Sequence, residues 1–228
     1  MADDFTDRLT RHLQLWVGQW PPPSPGVHVV AHAARLEPTW DGSIRPLLGV
    51  GNGEATVLSV RPDAADEVRA LVSDGLDAPE LGDTLGELLG VGPASFGAGV
   101  FRTTSAVNDE IEELGEWSPT QQPDFPDWLA PFNGPRLVAR DGDGTVIAGV
   151  GIKVHDDVGH ELSVVTSEAA RGKGYARRLV ATAARRILSD GRVPVYLHER
   201  SNIASAHVAE AVGFYDHGWT VHGLWPRR

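Results

Sequence analysis

Residues 161–176 read ELSVVTSEAARGKGYA, and the chemistry of the chain concentrates there. Val164, Val165 and Thr166 close an extended apolar run that suits a strand. A helical pattern opens at about Tyr175 and Ala176. Between the two lies a short loop holding Arg171, Gly172, Lys173 and Gly174. The first amides of a helix have no intrahelical partner and carry partial positive charge. Glycines let an anion approach the backbone, and the two cations add attraction. Such a turn suits a phosphate or a pyrophosphate. Two familiar phosphate loops do not fit. The Walker pattern needs four residues between its glycine and Gly-Lys-Ser/Thr. The dinucleotide pattern needs a glycine where Arg177 stands.

The elements around the loop read clearly from residue 136 onward. Residues 136–140 are a strand, 141–144 (DGDG) a turn, 145–154 the return strand and 161–166 a third strand. Residues 175–189 form a helix with an apolar stripe of Ala176, Val180, Ala183, Ala184 and Ile187, ended by Gly191. Residues 193–199 are a strand, 202–212 a helix ended by Gly213, and a last strand lies within 214–225. Strands joined through helices imply α/β with mixed pairing.

A second block stands at the right distance: NIASAHVAEAVGF, with Asn202, Ser205, Gly213 and Phe214. Together the blocks resemble the GCN5-related N-acetyltransferase (GNAT) superfamily, and the run 161–214 looks most like its FR47-like subgroup. Arg171, Gly174 and Ala176 fit the family's acyl-CoA loop position by position. The resemblance covers about residues 95–228. It implies a mixed, twisted sheet flanked by helices and says little about residues 1–94, whose expected helices and strands read as a separate α+β domain of unnamed role. It implies that acetyl-CoA is the co-substrate, with its pyrophosphate on the amides of residues 171–176. The pantetheine arm would lie along Val164–Thr166 and past Asn202 and Ser205. The activity implied is transfer of an acetyl group to a primary amine, of a small molecule rather than a protein.

The resemblance also suggests catalytic roles. A backbone amide at Val165 or Thr166 would polarise the thioester carbonyl. Glu161 matches the strand position of a family base, and its plain alternative is a structural carboxylate. Many members carry a tyrosine seven residues after the asparagine, to protonate the leaving thiolate. Here Ala209 stands there. Ser205 is a candidate substitute, with a coenzyme contact as its alternative. The missing tyrosine favours a rival reading, a non-catalytic acyl-CoA-binding or interaction module.

The first half is less informative. Helices are expected over 3–19, 63–74 (Asp63 as N-cap) and 79–89, with strands over 27–36 and 97–104 and a hairpin over 46–60. A soft boundary falls at 90–97, and a short amphipathic helix is expected over 106–116. Trp117, Trp128, Phe132 and Trp219 are core aromatics or an acceptor pocket. There is no cysteine, which excludes disulfides and a thiol nucleophile. The histidines lack the i, i+4 spacing of a metal helix, so no metal is expected. A net charge of -11 argues against nucleic acid and is compatible with a cationic amine. The acidic start at residues 1–4 lacks a secretory pattern, and no apolar run spans a bilayer. The expectation is a cytoplasmic protein without membrane contact, with room for a homodimer through the first half.

Overall fold

A computed structural model describes residues 4–227. Residues 1–3, where the acidic start and the first expected helix begin, and residue 228 lie outside the described residues. In chain order the elements are α1 (Phe5–Val17), β1 (Gly26–Ala31), β2 (Leu47–Gly51), β3 (Ala55–Val60), α2 (Ala65–Leu71), α3 (Leu81–Leu88), β4 (Ala94–Thr103), β5 (Glu116–Ser118), β6 (Arg136–Arg140), β7 (Val146–Val154), β8 (Gly159–Thr166), α4 (Tyr175–Ser189), β9 (Val193–His198), α5 (Ile203–Val212) and β10 (Thr220–Pro226). They form two compact units. One is built on Arg102–Asp216 with the start of α1, the other on Thr10–Phe101 with the stretch from His217 onward.

In the second of these, β1 pairs parallel with β3, β3 antiparallel with β2, and β10 antiparallel with both β2 and β4. The β2–β3 hairpin turns where the glycines predict. Asn52 Oδ1 accepts the N–H groups of Glu54 and Ala55. Leu58, Val60, Val68 and Leu85 are the centre of this unit's core. Asp63 does not cap α2. It is held by Arg61, 2.5 Å from Nη2, and a 3-10 turn at Pro62–Ala64 precedes the helix instead.

The unit built on Arg102–Asp216 carries a mixed sheet. β5, β6, β7 and β8 pair antiparallel in that order, and β8 pairs parallel with β9. A parallel pair needs a crossover, and α4 supplies it. Leu179, Val180, Ala183 and Ile187 of α4 pack on Leu137, Val150, Ile152 and Leu162 of the sheet, with Ala209 and Val212 of α5 and Phe214 beside them. Each leucine, valine, isoleucine or phenylalanine among them contributes about 1.5–3 kcal/mol when taken fully out of water.

The expected helix over 106–116 is not formed. Asn108 Oδ1 accepts the Glu110 N–H, and Gly115 adopts φ +104°, so the segment turns where a helix would continue. Its carbonyls are bonded from α4 instead. Arg185 donates to the carbonyls of Asn108 and Ile111, Arg178 to Glu113, and Thr182 Oγ1 accepts the Leu114 N–H. The apolar pattern that suggests the helix is still used, since Val107 and Ile111 are buried in the core beneath α4.

Candidate functional site

The sheet forks at the end of its parallel pair. The β8–β9 ladder starts at Gly159↔Val193 and stops at Leu162↔Tyr196. On its other edge β8 stays paired with β7 as far as Ala148↔Thr166. Ser163–Thr166 therefore keep one neighbour strand and face an opening on the other side. Backbone groups of a strand point alternately to its two edges. Ser167 donates its N–H to Ile147, and Gly159 O accepts from His155 N–H, so the odd positions face β7. The backbone groups of Val164 and Thr166 thus face the opening. Of the two amides expected to polarise a carbonyl, Thr166 has the direction for it, whereas Val165 turns its amide to β7 and offers a half-exposed side chain.

At the end of β8 a 3-10 turn (Glu168–Ala170) leads through Arg171–Gly174 into α4. Gly172 and Gly174 adopt φ +73° and +81°, a region that favours glycine. Gly174 is the N-cap of α4 and offers no capping oxygen, and the first turn contains no acidic residue. Its amides are left to an external partner, with Arg171, Lys173 and Arg177 around them. Asn202 begins α5 by accepting the Ser205 N–H on its side chain at 3.0 Å.

These pieces enclose one groove of about 980 Å³. Every residue the sequence assigns to the coenzyme lines it: Val164, Val165, Thr166, Arg171, Gly172, Lys173, Gly174, Tyr175, Ala176, Asn202 and Ser205. Arg177, Tyr196 and His207 line it as well and are not among the expected contacts. Arg177 lies one helical step past the loop motif. Tyr196 had a readable signal. It is a tyrosine in a strand with little polar surface, and a buried phenol needs a hydrogen-bond partner. That partner is Ser205, with Tyr196 Oη and Ser205 Oγ 2.9 Å apart.

Glu161 does not line the groove. It faces Lys153 across the β7–β8 ladder, and its carboxylate meets Lys153 Nζ at 2.5 Å and His155 Nε2 at 2.8 Å. Burial is the largest influence on this carboxyl and by itself raises its pKa. The His155 hydrogen bond and the Lys153 charge together outweigh it and hold the pKa below the usual value. Ala209 is fully buried in the core. None of the four aromatics is among the residues that line the groove. Trp117 stacks under Arg186, and Phe132 covers Gly151, where any side chain would collide with its ring. Trp128 lies over Gly149, and Trp219 stacks on Phe101. Among the described residues no group of His, Cys, Asp or Glu is arranged to hold a metal. No helix among them is long and apolar enough to cross a membrane.

Residues 104–214 match the model of the acetyltransferase (GNAT) family. No curated protein matches the chain. Among solved structures, one from Novosphingobium aromaticivorans assigned to the GNAT family is similar at 20% identity, covering 57% of this chain and 64% of that one, with TM-score 0.46. A GCN5-related N-acetyltransferase-like protein from Streptococcus suis is similar at 16% identity over 97% of this chain and all of that one, with TM-score 0.49. A GNAT superfamily phosphinothricin acetyltransferase from Sinorhizobium meliloti, in complex with acetyl-CoA, is similar at 21% identity over 40% of this chain and 60% of that one, with TM-score 0.31. The matched segment 104–214 holds the forked sheet, the basic loop and both helices of the groove.

Proposed function

We propose that this chain is an acetyl-CoA-dependent N-acetyltransferase acting on a primary amine of a small molecule. The observation that carries this reading is the groove. It joins a free strand edge to a cationic, uncapped helix start. The first suits an extended amide-bearing arm, which pairs with β8 as a further strand would. The second suits the diphosphate at the other end of that arm. In this reading residues 95–228 are the transferase domain, of the FR47-like kind through Glu161–Thr166 and Asn202–Ser205, and residues 1–94 carry no assigned role. The protein works in the cytoplasm, and the net charge of -11 is compatible with a cationic acceptor.

The chemistry follows from the edge directions. The neutral amine attacks the thioester carbon. The carbonyl oxygen accepts from a backbone amide at the opening; of the two that face it, Val164 lies on the side of the fork and Thr166 beside the loop that holds the diphosphate, so the Val164 amide is the one in reach of the thioester. The C–S bond then breaks, and the thiolate needs a proton. Glu161 is tied to Lys153 and His155 outside the groove, which supports its structural role over that of a base.

Gly174 tests the coenzyme site. A β-branched side chain at φ +81° costs about 1–2 kcal/mol in backbone strain alone. It also covers the amides that the anion needs. Gly174→Val is expected to abolish CoA binding in calorimetry, and unchanged affinity would overturn the reading. Ala209 in place of a tyrosine favours a second reading, an acyl-CoA-binding module without turnover. Thiol release measured over a panel of amines separates the two.

A further inference from the structure

We propose that Tyr196 and Ser205 form a two-hydroxyl relay that delivers a proton to the departing sulfur of coenzyme A. This rests on the acetyl-CoA reading and adds to it the source of the proton.

The placement comes from the fork. Tyr196 occupies the last rung of the β8–β9 ladder, opposite Leu162. Thr166, where β8 ends ahead of the turn into the basic loop, lies four residues further along β8, or about 13 Å at the rise of a strand. An arm anchored by its phosphates at the loop and extended along β8 therefore carries its thioester end toward Tyr196. There the phenol is buried, and its ring lies 5.5 Å from that of Phe214. Its hydroxyl meets Ser205 Oγ at 2.9 Å on the groove wall. Ser205 is fixed in turn, because its backbone N–H is bonded by Asn202 Oδ1. The α5 position that offers a tyrosine in related sequences holds Ala209, which has no proton to give. The strand supplies a phenol to the same groove from the other side.

The proton accounting closes. The amine nitrogen bonds to the thioester carbon, and the C–S bond breaks with its electron pair on sulfur. Sulfur takes the Ser205 proton, and Ser205 takes that of Tyr196. The phenolate then receives the proton that the acylated nitrogen sheds, and the enzyme is restored. Several groups set the phenol's environment. Burial raises its pKa most, while the Ser205 hydrogen bond and the buried Arg102 charge oppose this, leaving it raised and the proton in place at neutral pH. His198 lies beside the ring on β9 at 6.3 Å. His207 of α5 and the loop cations Arg171 and Lys173 line the same groove. Ser205 is the group that would touch the sulfur, and Tyr196 acts through it.

The test uses the full chain with CoA itself. The thiol of bound CoA is titrated by its thiolate absorbance in wild type, Tyr196→Phe and Ser205→Ala. Donation from the relay stabilises the thiolate, so each variant is expected to raise the bound thiol's pKa by about one pH unit. Tyr196→Phe keeps the ring in the core. Ser205→Ala keeps the helix cap, since the capping donor is the backbone N–H, so it decides the matter if the first variant folds poorly. With any amine that turns over, both variants should lower kcat about 100-fold and alter its alkaline limb, with little change in KM for acetyl-CoA. If wild type binds no CoA, the coenzyme reading itself has failed. If CoA binds and its thiol titrates alike in all three proteins, the relay is wrong and the coenzyme reading stands.

Discussion

Glu161, Lys153 and His155 make a buried charge cluster on the face of β8 and β7 turned away from α4. Across an antiparallel ladder directly opposed side chains share a face, so Lys153 meets Glu161 because the register puts Lys153↔Glu161 together. Removing one partner of such a pair leaves the others desolvated without compensation, at about 3–5 kcal/mol for fully buried groups. Lys153 keeps partial access to water, so about 2–3 kcal/mol is expected for Glu161→Gln. Urea unfolding checks this. In the structural role, turnover of the folded variant stays within a few-fold of wild type, and a loss of a hundredfold or more at full stability would return Glu161 to the chemistry. At this scale the basic loop was legible because its message is local: two glycines and two cations just before a helix. The Tyr196–Ser205 contact was not. It joins residues nine apart through a strand-to-helix turn, and no local pattern sets that distance. Arg136 is a similar case. Its guanidinium gathers the carbonyls of Leu129, Ala130, Phe132 and Gly134, a role that depends on how the preceding loop folds back.

At the scale of elements, α4 does two jobs with two stripes. One is apolar and faces the sheet. The other, Arg178–Thr182–Arg185 at spacings of four and three, binds the backbone of residues 108–114. This explains why the amphipathic pattern at 106–116 misleads. Val107 and Ile111 are buried as the pattern requires, but the carbonyls find charged donors on α4, and the helix loses its reason to form. Arg185→Ala removes two charge-assisted bonds of 2.7 and 2.8 Å. The expected cost is about 1–3 kcal/mol. Hydrogen exchange should speed up at residues 108–114 while the amides of α4 stay protected. Equal protection of the loop in both proteins would show that these bonds do not hold it. The elements from β6 to α5 were legible because each carries a clean period and glycine stops. β10 is legible only within a broad window. Its partners β2 and β4 are far away in sequence, and its own residues mix glycine, histidine and tryptophan without strict alternation.

At the scale of the whole molecule, each unit holds a histidine that resists protonation. His160 lies on β8, and burial first, then the Arg192 charge, lowers its pKa to about 4. His222 lies on β10, and burial lowers its pKa to about 4. In the unfolded chain both titrate near 6.5, so below that pH the unfolded state binds protons that the folded state refuses. A depressed pKa stabilises the fold above the unfolded value, and that contribution is lost as pH falls through the window from about 6.5 to about 4. Glu161 does not offset this, because its pKa is held below the usual carboxylate value and its contribution too is lost, not gained, as the pH falls. Stability is therefore expected to decline steadily from pH 6.5 to 4. The decline should have separate sources in the two units. Hydrogen exchange followed against pH can assign them: His160→Gln should flatten the dependence for amides within 102–216, and His222→Gln for those within 10–101. A stability that stays level down to pH 4.5 would mean that both rings protonate in the fold as freely as in water, and the burial argument for them would be lost.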